Sequence, residues 1–100
     1  MIFKKEKKAA VSCLKQAEEN LEYLKAINEN PKFEKELNRL ADEVRFSYPS
    51  KEPRVRAVES DILKLTEDLK IHIALRRRDE RIQGVLDEIN DLIIKRNSMI

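Results

Sequence analysis

Between Pro53 and Arg96 the chain carries a long run of helical hydrophobic periodicity, with no internal proline and a single glycine, Gly84. Val55, Val58, Ile62, Leu65, Leu69 and Ile73 recur every three or four residues, which at about 100° per residue places them on one face of a helix. Pro53 suits a first helical turn, where its missing N–H removes a donor that would have had no partner, and Glu52 beside it suits the positive end of the helix dipole. A second stripe, Ile82, Val85, Leu86, Ile89, Leu92 and Ile93, follows, but its mean direction is rotated by roughly 130° from the first at the same angular step. Between the stripes, Arg76-Arg77-Arg78-Asp79-Glu80-Arg81 is wholly charged and leaves no direction for burial.

Two arrangements satisfy that rotation. Either the chain turns near 76–81 and the last segment folds back as a fourth helix, or the helix runs on for about 65 Å and its far stripe is buried on another chain. The charged run holds no Gly, Pro, Asn or Ser to make a turn, and arginine is a good helix former. This reading favours continuity, with 76–100 projecting as a dimerisation segment and Ile82, Val85, Leu86, Ile89, Leu92 and Ile93 forming the interface of a homodimer.

Upstream, Phe3, Ala10, Leu14, Ala17, Leu21 and Leu24 share a narrow face, and from Ala10 the spacing is that of a coiled-coil seam, so a first helix is expected over about 2–28. Asn28-Glu29-Asn30-Pro31 punctuates the chain, with Asn30 placed to cap a helix that opens on Pro31. The second helix, about 31–47, carries Phe33, Leu37, Leu40, Ala41 and Val44 inward and must end before Pro49. Connections this short make consecutive helices antiparallel. The expected fold is all-α: an antiparallel hairpin packed on a long third helix, about 53–97, that is continuous or broken near 76–81, in a single domain over 1–100.

Composition agrees: 40% of residues are charged and 41% apolar, and one glycine and three prolines leave little room for turns between strands. A core of this size leans on long amphipathic contacts or on a second subunit. The lone Cys13 has no internal disulfide partner, and Met1-Ile2-Phe3 runs at once into Lys4-Lys5-Glu6-Lys7-Lys8, so neither an apolar leader nor an 18-residue apolar run is present. A cytoplasmic protein with no membrane segment is expected.

Chemistry is sparsely supplied. His72 is the only histidine, which excludes a two-histidine metal site, and at the margin of its stripe it reads as a boundary residue with a satisfied ring. Cys13, beside the first seam, reads as a small apolar residue. A lone glycine excludes a glycine-rich phosphate loop, and adjacent carboxylates such as Glu67 and Asp68 diverge by about 100° on a helix. Gly84 is either a mark of close backbone approach or a neutral exposed glycine. No catalytic, cofactor-binding or metal-binding residue is expected, and the chain reads as a non-enzymatic protein-protein interaction or assembly protein.

The second functional reading starts from Arg45-Phe46-Ser47-Tyr48-Pro49-Ser50-Lys51-Glu52-Pro53-Arg54-Val55-Arg56, which interleaves basic and aromatic residues around a loop. The antiparallel arrangement brings Lys4, Lys5, Lys7 and Lys8 to the same end. Together with Arg45, Lys51, Arg54 and Arg56 they would hold phosphates while Phe46 or Tyr48 stacks on a base, in a nucleic-acid-binding accessory protein. Against this stand a net charge of only +2 and the chance that the aromatics plug the open end of the hairpin.

One segment, Leu86-Asp87-Glu88-Ile89-Asn90-Asp91-Leu92-Ile93-Ile94-Lys95-Arg96, loosely resembles the opening helix of the all-helical chorismate mutases. Gln83 stands where that family has an early catalytic arginine and Asn90 where its pattern has a second aspartate, so the resemblance transfers no catalytic residue.

Overall fold

The computed structural model describes residues 12–100. Within them four helices follow one another: α1 (Cys13–Ile27), α2 (Pro31–Arg45), α3 (Pro53–Ala74) and α4 (Asp79–Ser98). The fold is all-α, and none of these helices is long and apolar enough to cross a membrane.

The first two boundaries follow from side-chain caps. Ser12 has extended backbone angles and its Oγ accepts from the Lys15 amide at 3.1 Å, which starts α1 at Cys13 rather than near residue 2. The earlier part of the expected helix, with Phe3, Ala10 and Lys4 to Lys8, lies outside the described residues. Asn30 caps α2 through the Lys32 amide at 3.0 Å with Pro31 in the first turn, and Asn28 folds back on the backbone of Asn30 from both ends of its amide. Helix α3 starts at Pro53 without a side-chain cap.

The break after Ala74 realises the second of the two expected arrangements, a turn near 76–81 into a fourth helix, and corrects the preference for a continuous one. The Arg77 amide donates to the His72 carbonyl at 2.9 Å and the Arg76 amide to the Ile73 carbonyl at 3.1 Å, while Arg76 takes a positive φ of 52°. These are the paired bonds of a Schellman motif, with arginine where glycine is usual. A left-handed residue with a side chain costs roughly 1–2 kcal/mol. Burial of the second stripe outweighs it: Ile82, Leu86, Ile89 and Ile93 join one core with Leu14, Leu21, Leu24, Phe33, Leu37, Leu40, Ile62 and Leu69. At about 1.5–3 kcal/mol per buried aliphatic side chain, a turn that recovers four of them within the chain is strongly favoured.

Helix α1 packs on α2 and α3, and α4 packs on α3 and α2. Cross-helix pairs give the directions. Asn20 donates to Thr66 at 3.0 Å and to Glu67 at 3.1 Å, and Tyr23 meets Lys70 one turn further on, so α1 and α3 run the same way. Likewise Gln83 bonds Glu36 at 2.9 Å and Arg39 bonds Asn90 at 3.0 Å, which aligns α2 with α4. The 28–30 and 75–78 turns therefore share one end, where Asn30 reaches Asp79 at 3.4 Å, and the 46–52 loop closes the other.

Residues expected to form an interface between copies are thus occupied within the chain. Ile82, Leu86, Ile89 and Ile93 are buried, and Val85 and Leu92 are partly buried against the same core. Gly84 faces open space, since a Cβ built there meets nothing within 4 Å, so close backbone approach does not account for it. His72 is half-buried and its Nδ1 has no hydrogen-bond partner among the described residues, where a satisfied ring was expected.

Candidate binding surface at the loop end

The connection from α2 to α3 is short, polar and held from beneath. Glu59 on α3 and Arg96 on α4 are the only carboxylate and guanidinium in the buried set of described residues, each side chain 3% exposed, and Arg96 Nε donates to Glu59 Oε2 at 2.9 Å. The same carboxylate oxygen accepts from the Ser50 amide at 3.1 Å, and Arg96 also donates to the Tyr48 carbonyl. A third bond runs from Arg96 to Asn97 Oδ1 at 2.9 Å. The buried ion pair therefore ties α3, α4 and two points of the loop together, with one further bond from each partner going to loop backbone. Ser50 Oγ accepts from the Glu52 amide at 3.0 Å, and Ser47 Oγ donates to the Glu43 carbonyl at 2.7 Å.

With its backbone pinned, the loop turns its aromatic side chains outward. Phe46 is 73% and Tyr48 87% exposed, so neither plugs the end of the bundle. The Arg45 guanidinium lies 5.5 Å from the centre of the Phe46 ring, a cation–π pair at an exposed site. Lys51, Arg54 and Arg56 are exposed around the start of α3, and among the described residues their side chains have no ion-pair partner. Of the ten residues predicted at this end, Arg45, Phe46, Tyr48, Lys51, Arg54 and Arg56 are brought to one end of the bundle, and Lys4, Lys5, Lys7 and Lys8 lie outside the described residues.

A count of apolar positions does not single out Glu59 and Arg96 as a buried pair, although the spacing carries a signal for them. Val55, Glu59, Ile62, Thr66, Leu69 and Ile73 form a seam spaced four, three, four, three, four, and Ile82, Leu86, Ile89, Ile93 and Arg96 form another spaced four, three, four, three. Opposite charges at seam positions, equally far along the chain from the midpoint between Arg77 and Arg78, mark partners across an antiparallel helix pair.

The opposite end presents a different surface. Arg76, Arg77, Arg78 and Arg81 are all exposed and none has an ion-pair or hydrogen-bond partner for its side chain among the described residues. Arg76 and Arg77 rim a groove whose floor includes Ile27, Phe33, Ile73 and Ile82. Among the described residues no three His, Cys, Asp or Glu side chains are grouped so as to hold a metal ion. Comparison with protein-family models, with curated proteins and with solved structures finds no match to this chain.

Proposed function

We propose that this protein is a non-enzymatic helical binding protein whose partner is single-stranded nucleic acid, taken at the loop end of the bundle. The observation that carries the reading is the exposure of Phe46 and Tyr48 on a loop held by buried bonds. Two unplugged aromatic rings beside four basic side chains suit the stacking of bases with the phosphates drawn to Arg45, Lys51, Arg54 and Arg56. Stacking on a ring is tolerant of base identity, so the expected partner is a flexible strand without strong sequence preference. Glu52 stands among the basic groups and limits the local field, which fits binding of moderate strength with a salt dependence set by about four phosphate contacts at most.

The loop end is preferred to an assembly surface at Ile82, Val85, Leu86, Ile89, Leu92 and Ile93 because four of those side chains are buried within the chain and two partly so. The test is fluorescence anisotropy of a labelled oligo-uridine RNA about 30 nucleotides long, long enough to cover several stacking sites. Phe46→Ala with Tyr48→Ala is expected to weaken binding by about 1–3 kcal/mol per base no longer stacked. Arg54→Glu with Arg56→Glu is expected to abolish binding at the loop end at moderate salt, read as loss of the part of the affinity that depends on Phe46 and Tyr48. Absence of any binding by the unaltered protein at low salt would end this reading.

A further inference from the structure

The arginines of this chain divide by position in a way that charge alone does not require. Arg39, midway along α2, contacts Glu36 and Glu43, and Arg96 is locked to Glu59. Every other arginine lies at one of the two ends: Arg45, Arg54 and Arg56 around the loop, and Arg76, Arg77, Arg78 and Arg81 at the opposite turn. Between the ends the flank of α3 and α4 is acidic on balance, with Asp61, Glu67, Asp68, Asp87, Glu88 and Asp91 exposed against Lys64 and Lys95. The net charge of +2 thus conceals two basic ends separated by an acidic waist.

We infer that Arg76, Arg77, Arg78 and Arg81 form a second phosphate-binding surface, through which one copy of the protein joins two separate nucleic-acid strands. This rests on the loop end binding a strand as proposed above. The 22 residues of α3 separate the ends by about 33 Å. That is several Debye lengths at physiological salt, so each end acts on its own strand. A strand bent to touch both ends of one molecule along α3 and α4 would pass more carboxylates than lysines, which weakens its hold at close range. Two different strands avoid that cost.

The chemistry of the turn suits phosphate. Guanidinium groups bind phosphate oxygens through two parallel N–H bonds, and four of them here form no ion pair among the described residues, although Asp79 and Glu80 in the same run and Glu29 beside the groove lower the local field. Arginine also occupies the left-handed position at residue 76, where glycine would avoid the steric cost, so a charged side chain stands where local stability would favour none. No aromatic residue lies within the 75–81 segment. This end therefore takes phosphates by charge alone and is indifferent to base identity and to strandedness, whereas the loop end adds stacking.

The experiment uses two oligo-uridine RNAs, one carrying a donor dye and one an acceptor, titrated with the protein at about 0.15 M salt, where the Debye length is about 8 Å. Energy transfer is expected to rise and then fall as excess protein separates the strands onto different copies. Changing Arg76, Arg77, Arg78 and Arg81 to Gln is expected to abolish transfer while altering single-strand affinity by less than about threefold, since the loop-end contacts are untouched. The smaller change Arg77→Gln with Arg81→Gln, expected to weaken transfer, guards against a folding defect, and an unchanged melting curve verifies both variants. Binding of one strand without transfer by the unaltered protein overturns the inference and leaves the loop-end reading standing. Transfer that persists in the four-arginine variant also overturns it. No binding at all overturns the loop-end reading and this inference with it.

Discussion

Removing one member of the Glu59–Arg96 pair should be far more damaging than removing both. Both side chains are 3% exposed, so Arg96→Met strands a carboxylate in the core with only the Ser50 amide as donor. Breaking a buried pair from one side costs about 3–5 kcal/mol, whereas replacing both members with well-packed apolar residues is often neutral. A domain of this size has roughly 5–15 kcal/mol of stability in total, so the single change consumes a large share of it. Its melting temperature should fall by well over ~10 °C, at roughly 4–8 °C per kcal/mol. Glu59→Leu with Arg96→Met should recover most of that loss but leave the Tyr48 carbonyl and the Ser50 amide without their buried partners. The loop should then loosen while the helices hold. Urea unfolding followed by circular dichroism gives the stabilities of the unaltered protein, of Arg96→Met and Glu59→Leu singly and of the double variant, and chymotrypsin cleavage after Phe46 or Tyr48 reports the loop. The reasoning is refuted if Arg96→Met costs less than about 1 kcal/mol, or if the double variant is as unstable as the two single losses added. It is also refuted if the double variant resists chymotrypsin as well as the unaltered protein.

Other changes test the fold locally. Gly84→Ala should stabilise by about 1 kcal/mol, because the position is helical, exposed and open to a Cβ, and chemical denaturation will show the shift. Arg76→Gly should stabilise by about 1 kcal/mol by relieving the left-handed conformation, measured as a rise in melting temperature. Ile89→Asp should unfold the chain at any protein concentration, because Ile89 is fully buried within the chain and not at a dissociable surface; folded helix content in this variant would contradict that placement.

Much of the architecture was legible in residues with strong local physics. Pro31 behind Asn30 and Pro53 behind Glu52 opened helices, Pro49 bounded the second, and the apolar seams named nearly every buried side chain. The turn at 75–78 was illegible by composition because its left-handed position is held by Arg76 instead of glycine. The rotation between the two apolar stripes carried that information, since stripes out of phase cannot serve one straight helix. Glu59, Thr66 and Arg96 were missed because a count of apolar residues passes over polar side chains at seam positions. Exposure of Phe46 and Tyr48 could not be read from their neighbours in sequence, because it depends on long-range bonds from Glu59 and Arg96 to the loop backbone.

The most direct measurement is photocrosslinking of a 4-thiouridine-bearing oligo-uridine RNA to the full-length protein, followed by tryptic digestion and mass spectrometry. Cleavage after Arg45 and Lys51 releases the peptide Phe46–Lys51, which holds both exposed rings. Crosslinked nucleotide concentrated on that peptide, and lost on Arg54→Glu with Arg56→Glu, is the predicted result. Crosslinks absent at low salt, or found mainly on the acidic flank of α3 and α4, would contradict it.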